Sequence, residues 1–196
     1  RQMCIRDSTV MEAKVYSGVS NLVGNAPLEQ AMQVEFDKLG PVMFDNQDAA
    51  FADEIRKTLT ADDIAASFQR AGRETPPDLP LCDFVAPLER PSIGGEGSTD
   101  VGDVSWVTPT VQARVATCAV GTPFHTWQTV AQGKAPAAHK GMIHAAKVMA
   151  ATATHLINSP ETLRAARHIH DQRQRTTPYI CPIPSDQNPP VIEQPS

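Results

Sequence analysis

Two stretches of this chain can neither continue a helix nor enter the middle of a sheet. Proline fixes φ and lacks an amide hydrogen, and seventeen prolines are present, clustered between Thr75 and Pro91 and again after Thr176. The run from Arg73 to Ser92 shows neither helical nor strand periodicity and reads as a long connection, of the kind that is functional or a linker. The tail "TTPYICPIPSDQNPPVIEQPS" reads as extended or disordered. Regular structure is therefore expected before the first cluster and between the two.

Before the first cluster, "MEAKVYSGVSNL" sets Val15, Tyr16 and Val19 among small polar residues, a strand pattern. Asn25 then stands at a helix N-cap with Pro27 in the first turn, and Leu28, Ala31, Met32, Phe36 and Leu39 follow at three-and-four spacing. Gly40-Pro41 ends that helix. Asp45, with Asp48 three residues on, opens a second helix expected to bury Phe51, Ile55 and Leu59. Thr60 with Asp63 opens a third, with Ile64, Phe68 and Ala71 inward and Gly72 at its end. These paired acids suit the positive end of a helix dipole, and that reading takes precedence over a catalytic one.

Between the clusters, "SIGGEGSTDVGDVSW" is dense in glycine and acids, and "TPTVQARVATCAVG" reads as a buried strand. Residues Ala135 to Asn158 form a helix in which Met142, Ile143, Ala146, Met149, Ala153, Leu156 and Ile157 make one apolar stripe. Ser159-Pro160-Glu161 starts a last helix running to about Gln174. Two strands are too few for a sheet that would cover five helices. The expected fold class is therefore α/β, an incomplete sheet with flanking helices, with most of the sheet lying elsewhere.

At 196 residues the chain has about the size of one domain. A net charge of −5 and a pI near 5.6 argue against a nucleic-acid partner. No apolar run reaches the roughly 18–20 residues a membrane span requires, and no signal peptide opens the chain. Cys4, Cys82, Cys118 and Cys181 are scattered with no metal-site spacing, which reads as a reduced, cytoplasmic chain with inert thiols. The opening "RQMCIRDS" shares no period with the residues after it and is expected to be a non-native or adapter-derived segment, so that the chain is expected to begin inside a larger protein.

Of the six histidines, His139 and His144 lie five apart on one helix and point about 140° apart, so they cannot share a ligand face. His155, His168 and His170 suit surface cations near helix ends. His125, in "GTPFHTWQ", differs because it follows the turn that ends the strand near Val120, the edge where α/β sites assemble. "GGEGSTDVGD" is the second candidate. Its glycines let a ligand approach the backbone, Ser98 and Thr99 offer hydroxyls, and Asp100 and Asp103 offer carboxylates. The same residues also suit a turn that bonds its own backbone, and both readings stay open. The glycine pattern is neither a P-loop nor a dinucleotide fingerprint. Ser98 is not in a nucleophile elbow.

Taken together, "GSTDVGDVSWVTPTVQARVATCAVGTPFHTWQ", "VAQGKAPAAHKGMIHAAKVMA", "YICPIP", "SNLVGNAPLEQAMQVEFDKLGP" and "AFADEIRKTL" resemble the aminoacylase and carboxypeptidase-like family of metal-dependent amidohydrolases, zinc-peptidase relatives, over nearly all of the chain after Ser8. The resemblance implies a division into residues 9–24 as the end of a lid or dimerisation domain, 25–175 as the C-terminal part of a catalytic domain, and 176–196 as a tail. It assigns His125 as a metal ligand, and Ser98, Thr99 and Asp100 as substrate contacts. Two divalent metals, zinc or manganese, would serve the full active site, with the general base and remaining ligands outside this chain. A catalytic zinc takes about three protein ligands, so the chain alone is expected to be inactive. The implied substrate is an acyl- or aryl-amino-acid amide such as p-aminobenzoyl-glutamate, cleaved by a metal-activated water in a homodimer or a hetero-oligomer of family members. The competing expectation is a binding or scaffold member of the same fold that has lost its metal site.

Overall fold

Local start and stop signals decide most of the architecture. The structure, a computed structural model, describes residues 14–73, 79–88 and 99–187. The first helix, α1 (Ala26–Leu39), begins after Asn25 with proline in its first turn and ends on Gly40, whose φ of 73° only glycine adopts without strain. Helix α2 (Asn46–Arg56) and helix α3 (Ala61–Arg70) each open with a full capping box, Asp45 with Asp48 and Thr60 with Asp63. Two short helices come next, α4 (Val101–Val107) and α5 (Trp127–Gln132). The long α6 (Pro136–Ile157) and α7 (Pro160–Thr176) both carry proline at the start.

Helix α1 packs against both α6 and α7, which also touch each other. Asn25 sits at the α1 N-cap position, yet its side chain does not cap. Its Nδ2 donates instead to the Ala166 carbonyl of α7 at 2.9 Å, while Glu29 accepts the Asn25 amide at 3.1 Å. Glu35, buried on α1, accepts from Lys38 and meets Nδ1 of His155 on α6, each at 2.7 Å. Those two partners, Lys38 first, hold its carboxyl below the ordinary value. Lys140 of α6 reaches both carboxylates of the α2 capping box, Asp45 at 2.6 Å and the buried Asp48. A second small core joins Ala52 and Ile55 of α2 to Leu81, Ala119 and Ala137, with Phe44 at its edge.

The expected α/β class is not what forms: every regular element among the described residues is a helix, with no strand and no sheet. A strand exists only by pairing, and the two candidate segments find other partners. The amides of Ser20 and Val23 donate to side chains of α4, Asp103 and Ser105. Farther on, the Ala119 amide goes to Gln132 and the Val120 amide to the Pro80 carbonyl. The segment 111–115 keeps the alternating burial of a strand, with no strand beside it among the described residues.

Two packing expectations also change. On α6 the apolar stripe faces outward, with Met142, Ile143, Met149 and Ile157 all more than half exposed. The inward face is Ala137, Gly141, Val148 and Thr152. Close approach explains the choice, since a Cβ on Gly141 would lie 2.1 Å from the Ala116 carbonyl oxygen. On α2, Phe51 is exposed and Ala52 and Ile55 are buried. No helix among the described residues is long and apolar enough to cross a membrane.

Candidate functional site

His125 stands on the turn between Val120 and α5. Its φ is 63°, the single positive value at a non-glycine among the described residues, a conformation that a histidine takes at some cost unless its surroundings fix it. The chain is turned into it by Gly121, at φ 94°, whose missing side chain leaves room for Ile64. Three threonines tie the turn down. Thr122 Oγ1 donates to the Ala119 carbonyl, and Thr126 Oγ1 and Thr129 Oγ1 both donate to the Pro123 carbonyl, all at 2.7 Å.

Beneath them lies Gln132, a buried amide with two hydrogen bonds directed at this turn and one within α5. Its Oε1 accepts from the Ala119 amide at 2.7 Å, and its Nε2 donates to Thr122 Oγ1 and to the Gln128 carbonyl at 3.0 Å each. The imidazole is exposed, flanked in sequence by the exposed Phe124 and Trp127. The geometry presents one ring on a rigid base, ready to meet a ligand or another surface.

The second candidate is the turn before α4. Ser98 lies outside the described residues. Thr99 is half-buried and Asp100 exposed, and the turn closes on itself: the Val101 amide donates to Thr99 Oγ1 at 3.3 Å and the Gly102 amide to the Thr99 carbonyl at 2.9 Å. Asp103, a candidate carboxylate by sequence, is occupied structurally. It accepts from Tyr179 Oη at 2.8 Å and from the Ser20 amide at 3.3 Å. These bonds, the tyrosine's first, hold its carboxyl below the ordinary range, and the same contact pushes the Tyr179 phenol up.

No hydrogen bond or ion pair among the described residues joins the two turns. No group of three or more His, Cys, Asp or Glu side chains is placed to hold a metal ion among the described residues. The described residues therefore do not by themselves supply the roughly three protein ligands of a catalytic metal; His125 is one donor.

His139 and His168 are exposed, as surface positions imply, but two other histidines are less superficial than their helix positions imply. His155 is engaged by Glu35, and His170 is buried, its Nε2 3.2 Å from the Trp106 carbonyl. Their helical faces are readable in sequence, but the elements covering those faces are not. Cys82 and Cys118 have thiols pushed up by burial, which suits inert residues. A cavity of about 510 Å³, which no sequence signal marked, lies between α1 and the segments 82–88 and 110–116. Met32, Phe36, Phe84, Val111, Arg114 and His144 are among its walls, and it includes neither candidate turn.

The chain is similar to a p-aminobenzoyl-glutamate hydrolase subunit of Escherichia coli (strain K12), with 38% identity over 195 aligned residues that take in 92% of this chain and 40% of that protein. It thus spans about two-fifths of the length of the curated relative it matches. The resemblance drawn from the quoted segments is borne out by this alignment. No protein-family model matches the chain, and no solved structure matches it.

Proposed function

We propose that the chain is the C-terminal part of a hydrolase that cleaves an acyl- or aryl-amino-acid amide, with p-aminobenzoyl-glutamate as the candidate substrate. The observation that carries this reading is the 38% identity, along 92% of the chain, to a protein named as a hydrolase of that compound. Within it, His125 is proposed as a single metal donor, held with its ring outward by the Gln132 and threonine bonds. Ser98, Thr99 and Asp100 are proposed as polar contacts to substrate. The proposed cofactor of the whole protein is zinc or manganese, with the general base and the other ligands contributed from beyond this chain. The whole protein is proposed to be cytoplasmic and to assemble as a homodimer or with a second family subunit.

The test compares two purified proteins, the product of the complete reading frame and the 196-residue chain alone, each supplied with p-aminobenzoyl-glutamate and with zinc or manganese. Release of p-aminobenzoate is expected from the complete protein, reduced to background by His125→Ala with unchanged circular dichroism, and absent from the short chain. A complete protein that binds the compound without turnover supports a binding or scaffold role and overturns the proposal. Turnover by the short chain alone would remove the assignment of ligands and base beyond it.

A further inference from the structure

Among the described residues, the bonds of the Thr99–Asp100 turn run forward along the chain. The turn is bonded to the first residues of α4, and α4, at seven residues, is too short to hold itself in position. Contacts from both ends of the described chain hold it. From one side, the Ser20 amide reaches Asp103, the Val23 amide reaches Ser105 Oγ at 2.9 Å, and Trp106 Nε1 donates to the Asn21 carbonyl at 2.9 Å. Gly102 is flush with the same segment, since a Cβ there would lie 1.9 Å from the Ser20 carbonyl oxygen.

From the other side comes the segment after α7. Tyr179 Oη donates to Asp103 at 2.8 Å, the Tyr179 amide donates to Gln174 Oε1 at 3.1 Å, and Gln174 Nε2 donates to the Trp106 carbonyl. The Tyr179 and Trp106 rings stand 6.4 Å apart between centroids. The Asp103 carboxylate is thus the point where segments 83 residues upstream and 76 residues downstream meet on one short helix.

We infer that Tyr179 is a positioning residue for the Thr99–Asp100 turn, acting through Asp103. The consequence for catalysis rests on the proposal that this turn contacts substrate. Phenol and carboxylate form a charge-assisted hydrogen bond, stronger than a neutral one, directed along one line into the start of α4. Without it Asp103 keeps a backbone donor on one side only, and the start of α4 with its turn loses its own tie to the tail, which then holds α4 only at Trp106. The tail thereby becomes part of the support of the substrate-facing turn.

Tyr179→Phe tests this because it removes the hydroxyl and keeps the ring on Trp106. In the complete protein, KM for the amide substrate is expected to rise about tenfold, equivalent to about 1.4 kcal/mol, with kcat within about twofold. Asp103→Asn, which still accepts from the phenol, is expected to recover most of the wild-type KM, whereas Asp103→Ala is not. Hydrogen exchange on the 196-residue chain supplies the second readout: the Val101 and Gly102 amides exchange faster in Tyr179→Phe while α2 and α3 keep their protection. A loss in kcat with unchanged KM, unaltered exchange at the turn, or faster exchange spread evenly over all helices overturns the inference. If the wild-type complete protein hydrolyses no amide, the functional proposal alone fails, and exchange at Val101 and Gly102 still decides the role of Tyr179.

Discussion

The two candidate turns are built in opposite ways. Beneath His125, the bonds of Gln132 reach residues 4, 10 and 13 positions away. The support of the Thr99–Asp100 turn runs through α4 to residues 76, 82, 83 and 85 positions away. One turn is braced chiefly by a side chain close to it in sequence; the other is a joint between distant parts of the chain. Damage to the first should stay local, whereas damage to the second should loosen contacts between segments far apart in sequence.

The largest effect is expected from Gly102→Ala. The added Cβ would meet a backbone oxygen at 1.9 Å, an atom that cannot rotate away. Helix α4 or the Ser20 segment must move, at about 3 kcal/mol by the cost of overpacking. Urea unfolding should show the loss, and the indole environment of Trp106 should change with it, because its ring nitrogen is bonded to Asn21. Unaltered stability would mean that α4 does not lie against this segment, and the contrast between the turns would collapse.

Gln132→Leu probes the local brace. It leaves the buried Ala119 amide without its acceptor and Thr122 without a donor, at about 2 kcal/mol. Amide shift changes in a ¹H–¹⁵N spectrum should be confined to residues 117–135 and spare Ser20, Val23 and α4. Changes reaching α4 would show that the turns communicate, contrary to their separate hydrogen bonding.

Acid separates the two turns without mutation. Asp103 has a lowered folded pKa, so its contribution is complete above the unfolded value of about 3.9 and is lost as pH falls through the lower folded one. Tyr179 has a raised folded pKa, so its contribution is complete below about 10 and fades as pH rises beyond that through the folded value. The bonds of Gln132 involve no ionising group. Exchange protection around α4 should therefore weaken as pH falls below about 3.9 and be lost through the lower folded value, while that of residues 119–132 persists. Simultaneous loss in both turns would argue against a titrating contact.

The same division decides what the amino-acid sequence discloses. Helices α2 and α3 are legible because a capping box is complete within four residues, as in Asp45–Asp48 and Thr60–Asp63. The proline starts and glycine stop of α1, α6 and α7 are equally local. The residues 111–115 carry a strand's alternation, but strand formation depends on a neighbour the pattern cannot name, and farther on the Ala119 amide goes to a side chain and the Val120 amide to the Pro80 carbonyl. Helices α4 and α5 escape notice because six or seven residues hold too little period to read and draw their stability from contacts. On α6 the apolar stripe is real, yet Gly141 brings the small face inward against Ala116. His125 stands out from its Gly-Thr-Pro turn alone. That Asp103 is engaged by Tyr179, and His170 by Trp106, depends on pairings more than 60 residues apart.

The smallest effect addresses the His125 turn most closely. The Pro123 carbonyl accepts two hydroxyls, from Thr126 and Thr129, at equal distance. Replacing either by valine removes one donor and leaves the other, so each single variant should lose only about 0.5 kcal/mol, the low end for a hydrogen bond. The double variant strips the carbonyl of both and should cost more than the sum, with a coupling energy of about 0.5–1 kcal/mol. Strict additivity would show that the hydroxyls act independently. Pro123 is two residues before His125 and Thr126 directly after it, so their shared bond spans the one non-glycine residue with a positive φ among those described. If the bond fixes that backbone, the double variant should also move the His125 ring resonances in a ¹H–¹³C spectrum, and neither single variant should do so to the same extent.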